Sequence, residues 1–202
     1  TEALLRAFAR VKARHPGTQL ILKTNERDRK VQARGVVQID QVLSQPQVRA
    51  LYALANAYVS PHRGEAWGLT LSDAMARGVP VIASAYSGNL DFMRDENAFL
   101  VPCREVEAVD AELGDAMVGR WAEIDEDALV LAMQLVYEDQ QAASKKATVA
   151  KRDAGAFDEN RYFVPATSRA PAPLNGMSLG LTICEDGWVA QIPYELDPTG
   201  DL

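Results

Sequence analysis

The sequence predicts an α/β fold, a Rossmann-like parallel sheet over residues 1–139, followed by a shorter segment of different character. Three observations carry this expectation. Short runs that are apolar throughout alternate with amphipathic helical stretches, and a strand apolar on both faces belongs in a parallel sheet covered by helices. The 202 residues, 48% hydrophobic and 24% charged, have ordinary globular composition and suffice for one large domain, or one domain and a fragment. The alternation then stops, because 140–155 is polar and carries no strand pattern.

Residues 2–15 read as a helix, with Leu4, Phe8 and Val11 on one face and Pro16-Gly17 as its stop. "QLILK" (19–23) and "GVVQI" (35–39) read as strands. "PQVRALYALANA" (46–57) reads as a helix that opens on Pro46, where a missing N–H costs nothing. "AYVSP" (57–61) is a third strand, and "LTLSDAMARG" (69–78) a short helix that Gly78 ends and Pro80 prevents from continuing. "PVIAS" (80–84) and "AFLVP" (98–102) complete five strands. "DEDALVLAMQLVYED" (125–139) is a helix with Leu129, Ala132, Met133 and Val136 on its inner side. The expected organisation is therefore a domain over 1–139, a junction over 140–156 and a fragment over 157–202 that includes the apolar run "MSLGLTIC" (177–184).

The net charge of −7 argues against a nucleic-acid partner, which needs a basic patch. Two cysteines, Cys103 and Cys184, do not make a disulfide framework, and no metal-type Cys/His spacing occurs. Reduced thiols and a cytoplasmic setting are the expectation. There is no run of 18 apolar residues to span a membrane, and the N-terminal stretch lacks the apolar core of a secretion signal. The absence of an initiator Met leads us to expect that the chain begins inside a longer protein.

The stretch "EAWGLTLSDAMARGVPVIAS" (65–84) concentrates the chemistry. It opens in the loop "SPHRGEAWG", at the carboxyl end of a strand, where open α/β sheets bind ligands. The helix that starts near Leu69 offers free backbone N–H groups and partial positive charge at its first turn. Gly68 permits close approach to that backbone and Thr70 adds a hydroxyl, a combination that suits a phosphate or diphosphate. Glu65 and Asp73 would repel phosphate, but they suit neutral polyols, whose hydroxyls donate to carboxylates. A ligand with a sugar, a diphosphate and a ribose in that order matches the spacing. On these residues alone the plain alternative stays open: Asp73 favours the helix N-terminus and Glu65 is solvated.

As a whole the stretch resembles the donor-binding signature of the GT-B-type glycosyltransferases of the large group 1 family. That pattern is an acid, seven residues, a second acid, a small-residue helix, a glycine and an apolar strand. Here these are Glu65, Asp73, Ala74, Met75, Ala76, Gly78, Pro80 and Val81. The flanks "LLRAFARVKARHPGTQLILK", "LYALANAYVSP" and "SGNLDFMRDENAFLVP" match too. The resemblance implies the nucleotide-sugar-binding half of a two-domain enzyme, with Glu65 at the donor sugar. It places the backbone of Trp67, Gly68, Leu69 and Thr70 at the sugar and diphosphate, and Asp73 at the ribose hydroxyls. No separate cofactor is implied, the nucleotide-diphosphate sugar being the donor substrate. The family's second acid is usually Glu, so Asp73 is one methylene shorter. The family's basic pair for the diphosphate and its acceptor-binding N-terminal domain would both precede Thr1. His62, Arg63 and Lys23 are the remaining candidates for phosphate or sugar contacts, and Ser87, Gly88 and Asn89 form a second helix-start loop, a further candidate to face the donor.

"FDENRYFVPA" (157–166) and "NGMSLGLTICEDGW" (175–188) resemble a different family, the nitrilase-like glutaminase domain of glutamine-dependent NAD synthetases. That resemblance makes Cys184 a nucleophile and Lys151 a candidate for its lysine partner, with no residue matching the family's Glu. Read from the residues alone, Cys184 is a buried apolar thiol. The leading expectation is nucleotide-sugar binding within a glycosyltransferase. The alternatives are an amidohydrolase carried by Cys184 and a catalytically silent nucleotide-binding domain.

Overall fold

The computed structural model describes residues 2–24, 30–110, 116–154, 172–174 and 177–179. The chain divides into two units, Thr1–Phe157 and Asp158–Leu202. The first opens with helix α1 (Glu2–Arg14), strand β1 (Leu20–Lys23), strand β2 (Val36–Ile39) and helix α2 (Gln45–Leu54). Strand β3 (Tyr58–Ser60), helix α3 (Leu69–Ala76), strand β4 (Val81–Ser84), a 3₁₀ turn over Gly88–Asp91 and strand β5 (Phe99–Val101) follow. Strands β6 (Cys103–Asp110) and β7 (Ala116–Ile124) precede helices α4 (Glu126–Glu138) and α5 (Gln140–Ala154). In the second unit β8 (Ala172–Leu174) pairs antiparallel with β9 (Met177–Leu179).

The strands expected from the sequence pair in parallel, as β1-β2 and as β3-β4-β5. β4 is the centre of the larger sheet, and all four of its residues are buried. Its side chains alternate between two cores, as a strand's must. Val81 and Ala83 join Tyr52, Leu71, Met75 and Phe92 on one face, while Ile82 joins Val11, Val101 and Leu129 on the other. That is the three-layer arrangement expected of a helix-covered parallel sheet. Each fully buried Leu, Met or Ile contributes about 1.5–3 kcal/mol of transfer free energy. The β1-β2 pair departs from this pattern. Ile21 and Val37 face each other across it, and both stay close to half exposed, so one face of that pair is open.

Two parts of the first unit differ from the sequence expectation. Residues 103–110 and 116–124 pair antiparallel as the hairpin strands β6 and β7, with a bulge between Ala108 and Val109. Charged residues hold four of the eight positions of β6 and interrupt β7 at Arg120 and Glu123, which hides the strand period. The polar stretch 140–154, expected as a junction, is helix α5, which packs on α3 and α4. Its buried stripe is Ala143, Ala147 and Ala150, so the face is apolar but small. Ala143 belongs to one core cluster and Ala150 to the other. The N-cap Asp139 accepts a hydrogen bond from the N–H of Ala142 at 2.9 Å, which satisfies one of the helix's orphan donors.

Asp153 fastens the far end of α5. Its carboxylate accepts from the buried Asn97 amide at 3.1 Å and pairs with Arg94. Burial pushes the Asp153 carboxyl up, but the Asn97 hydrogen bond, the Arg94 charge and the adjacent Arg152 together outweigh it and hold the carboxyl below its usual range. Among the described residues no helix is long and apolar enough to cross a membrane, and no group of His, Cys, Asp or Glu is placed to hold a metal ion.

Asp153→Ala leaves the buried Asn97 amide without this acceptor, and we expect it to destabilise the fold by about 1–3 kcal/mol at pH 7. A carboxyl whose folded value is depressed stabilises above its unfolded value, near 4, and loses that contribution as pH falls through the folded value. Urea denaturation of wild type and variant should therefore show a gap at pH 7 that narrows at pH 3. A gap of constant size would exclude this ion pair as its source.

Candidate functional site

The loop 61–68 leaves β3 at its carboxyl end and leads into α3. The segment after β4 lies beside it, and together they form the rim of the parallel sheet. Gly68 is the N-cap of α3 and adopts a left-handed conformation, with φ 90°. The conformation favours glycine, and an added Cβ, 2.7 Å from Leu71 Cδ1, would displace that side chain. As a glycine it offers no side-chain acceptor to the first turn. α4, by contrast, begins with Asp125 accepting from Ala128 N–H at 3.0 Å. The N–H groups of Leu69 and Thr70 precede the first intrahelical bonds, which start with Leu71 and Ser72 donating to Gly68 O at 2.9 Å. They are thus donors turned toward the rim without an intrahelical partner.

Thr70 and Asp73, one turn apart, share the exposed face of α3, while Leu71, Ala74 and Met75 are buried. Asp73 Oδ1 accepts from Arg77 at 2.8 Å, which fixes the carboxylate and leaves Oδ2 without a side-chain donor in that pair. Arg77 in turn stacks over the ring of Tyr52, at 5.1 Å, and Tyr52 donates to the Thr70 carbonyl at 3.1 Å. Tyr58 sits beneath. Burial pushes its hydroxyl up, the Thr70 hydrogen bond opposes this, and the charges of Glu65 and Asp73 raise it further. Both carboxylates therefore lie within electrostatic reach of one phenol. The sequence reading did not single out Tyr52 or Tyr58, since an aromatic in an apolar run reads as core.

The second loop braces the first. Ser87 donates to the Glu65 carbonyl at 2.6 Å, and Gly88 N–H donates to the same oxygen at 3.0 Å. Ser87 carries a positive φ of 79°, uncommon for a residue with a Cβ. At Gly88 an added Cβ would lie 1.8 Å from the Ala66 carbonyl oxygen, so two backbones meet there at a distance only glycine allows. Asn89 is fully buried, and its amide donates to Ser84 O at 3.0 Å.

His62, a candidate for phosphate or sugar contacts, is engaged by the protein's own oxygens. Its Nε2 lies 3.1 Å from both the Tyr86 carbonyl and Asn89 Oδ1, and its Nδ1 3.1 Å from the Ser60 carbonyl. Oxygen acceptors around both nitrogens engage the ring as a brace between the loops. Trp67 packs its ring on Phe92, with centroids 4.9 Å apart, and belongs to the core edge. Lys23 closes β1 and donates to the Thr24 carbonyl at 2.7 Å. Arg63 is exposed and lies over the Trp121 ring of β7, 4.4 Å from its centroid. The structure thus brings Glu65, Gly68, Leu69, Thr70, Asp73 and Arg63 onto one loop and helix start, with Ser87 and Gly88 alongside. Lys151 sits on α5, while Cys184 lies outside the described residues, as do the segments quoted around it apart from β9 (Met177–Leu179).

The family model for glycosyl transferases group 1 matches residues 1–117, which include every residue of this rim. No curated protein matches the chain. Among solved structures, sucrose-phosphate synthase from Thermosynechococcus elongatus aligns over 75% of this chain and 37% of its own, at 23% identity and a TM-score of 0.55. A GtfA/B complex aligns over 79% of this chain and 30% of its own, at 19% identity and a TM-score of 0.56. A glycosyltransferase from Rickettsia africae aligns over 76% and 39%, at 14% identity and a TM-score of 0.50. The chain thus spans less than two-fifths of the length of these structures. The likeness is one of fold, consistent with a Rossmann-like half of a GT-B architecture. Nothing among the matches supports a nitrilase-like segment.

Gly88→Ala is expected to push the 85–91 segment away from Ala66 and to destabilise the fold by about 1–3 kcal/mol, the usual cost of overpacking. Thermal melting monitored by circular dichroism measures it. A variant that melts with wild type would show that the two loops do not depend on this contact.

Proposed function

The chain belongs to the group 1 glycosyl transferases, and from that premise we propose that its first unit holds a nucleotide-diphosphate sugar, the donor for glycosyl transfer to an acceptor. The observation that carries the reading is the start of α3: first-turn N–H groups that have no intrahelical partner among the described residues, behind a left-handed Gly68 and flanked by Glu65 and Asp73. An anionic diphosphate suits those N–H donors and the positive end of the helix dipole. The Thr70 hydroxyl, on the same exposed face, hydrogen-bonds Tyr58 and offers its oxygen lone pairs to a ligand hydroxyl. Glu65, before the helix, accepts from the hydroxyls of the donor sugar. Asp73, one turn in, accepts from the ribose hydroxyls through the oxygen that Arg77 leaves open. Arg63 supplies positive charge at the loop, and the inward-turned His62 holds the loop's shape.

The shorter reach of Asp73, compared with a glutamate, is offset by the Arg77 pair, which fixes its rotamer and limits the entropy lost on binding. An exposed i,i+4 pair itself contributes only about 0.3–0.5 kcal/mol, so the positioning matters more than the pair's own stability. Catalysis in this reading belongs to the whole protein. The chain's own groups bind and orient the donor.

Calorimetric titration with uridine, guanosine and adenosine diphosphate sugars tests the reading. A hydrogen bond to a charged acceptor contributes about 1.5–3 kcal/mol, so Asp73→Ala should weaken the best of these ligands about tenfold or more. Equal affinity for wild type and variant would remove Asp73 from the site, and no binding by wild type would overturn the donor reading.

A further inference from the structure

The β6-β7 hairpin follows β5 directly and is anchored to both loops of the rim. Ala122 N–H donates to the Arg63 carbonyl at 2.7 Å, and the Tyr86 hydroxyl donates to Glu105 at 3.0 Å. Glu105 also pairs across the hairpin with Arg120, at 2.9 Å. Trp121 lies next to the Ala122 anchor, and the Arg63 guanidinium carbon lies over its ring, 4.4 Å from the centroid. The neighbouring arginines are committed elsewhere, Arg77 to Asp73 and Arg120 to Glu105. Arg63 makes no ion pair with any described residue, although the chain carries a net charge of −7.

A guanidinium held over an aromatic ring keeps the N–H donors directed away from the ring available, because the π-face accepts no more than part of the fork. Stacking also restricts a side chain that otherwise carries about 2 kcal/mol of rotamer entropy. An Arg so held is preorganised for a two-pronged contact with an oxyanion. From this we propose that Trp121 is a positioning residue: it holds Arg63 at the rim so that the guanidinium meets the diphosphate of the bound nucleotide. The hairpin is then part of the binding site, although the sequence pattern that marks the site lies wholly in 65–84. This inference rests on the donor reading above.

Calorimetry on the 202-residue chain tests it. UDP, GDP and ADP are titrated first, and the tightest binder and its nucleoside become the probes. Trp121→Leu keeps apolar bulk and removes the aromatic face. A cation–π contact at an exposed site supports a loss of about two- to fivefold for the diphosphate, with the nucleoside unchanged. Trp121→Phe should recover most of the loss. Arg63→Ala should weaken the diphosphate about tenfold or more, and adding Trp121→Leu to it should cost nothing further. Wild-type diphosphate affinity in Trp121→Leu, an equal loss for the nucleoside, or an additional loss in the Arg63→Ala background would each overturn the proposal. If wild type binds none of the three nucleotides, the donor reading falls and this inference with it.

Discussion

The rim of this molecule depends on one close approach. Gly88 brings the backbone after β4 against the Ala66 and Glu65 carbonyls, at a separation that excludes any side chain. Ser87 and Gly88 both donate to the Glu65 carbonyl, so the segment that carries Glu65 is held from outside as well as from its own chain direction. His62 closes the same gap from beneath, with oxygen acceptors of the second loop on its Nε2. A loop alone would explore many conformations; two loops hydrogen-bonded backbone to backbone present a fixed set of donors and acceptors.

The core makes that rigidity possible. β4 is buried on both faces, and the two clusters that cover it draw on every helix of the first unit. α3 is anchored through Leu71, Ala74 and Met75, so its outer face is free to carry polar groups with a defined orientation. α5 reaches both clusters through alanines alone, which let it lie close to its neighbours, and Asp153 locks its end to the buried Asn97. Small residues bury little area each, so polar fastening matters more for this helix than for α1 or α4.

Charge is distributed so that each cation near the rim has a different task. Arg77 orients Asp73 and covers Tyr52, Arg120 stabilises the hairpin through Glu105, and Arg63 is stacked and unpaired among the described residues. In a chain this acidic an anionic ligand meets net repulsion at long range, so recognition must come from short-range, directed donors. Backbone N–H groups at a helix start and a stacked guanidinium are donors of that kind.

The order of strands and helices from α1 to β5, and α4 after the hairpin, was legible in the sequence, because short apolar runs alternate there with amphipathic helices and end at Gly, Pro or polar residues. The acid–glycine–acid pattern at Glu65, Gly68 and Asp73 was legible for a similar reason: the chemistry is local, spanning one loop and two helical turns. The sequence did not reveal α5, whose buried stripe is alanine in a polar stretch, or β6-β7, whose strands are charged on exposed faces. Nor did it separate His62 from Arg63, adjacent residues of similar character. Their roles depend on partners far along the chain, Tyr86 and Asn89 for one and Trp121 for the other. Periodicity records which face of an element is apolar, so the sequence by itself determined the elements and the local donor pattern. Which loop meets which, and which side chains turn in or out, the tertiary structure alone decided, because contacts between distant segments leave no local period.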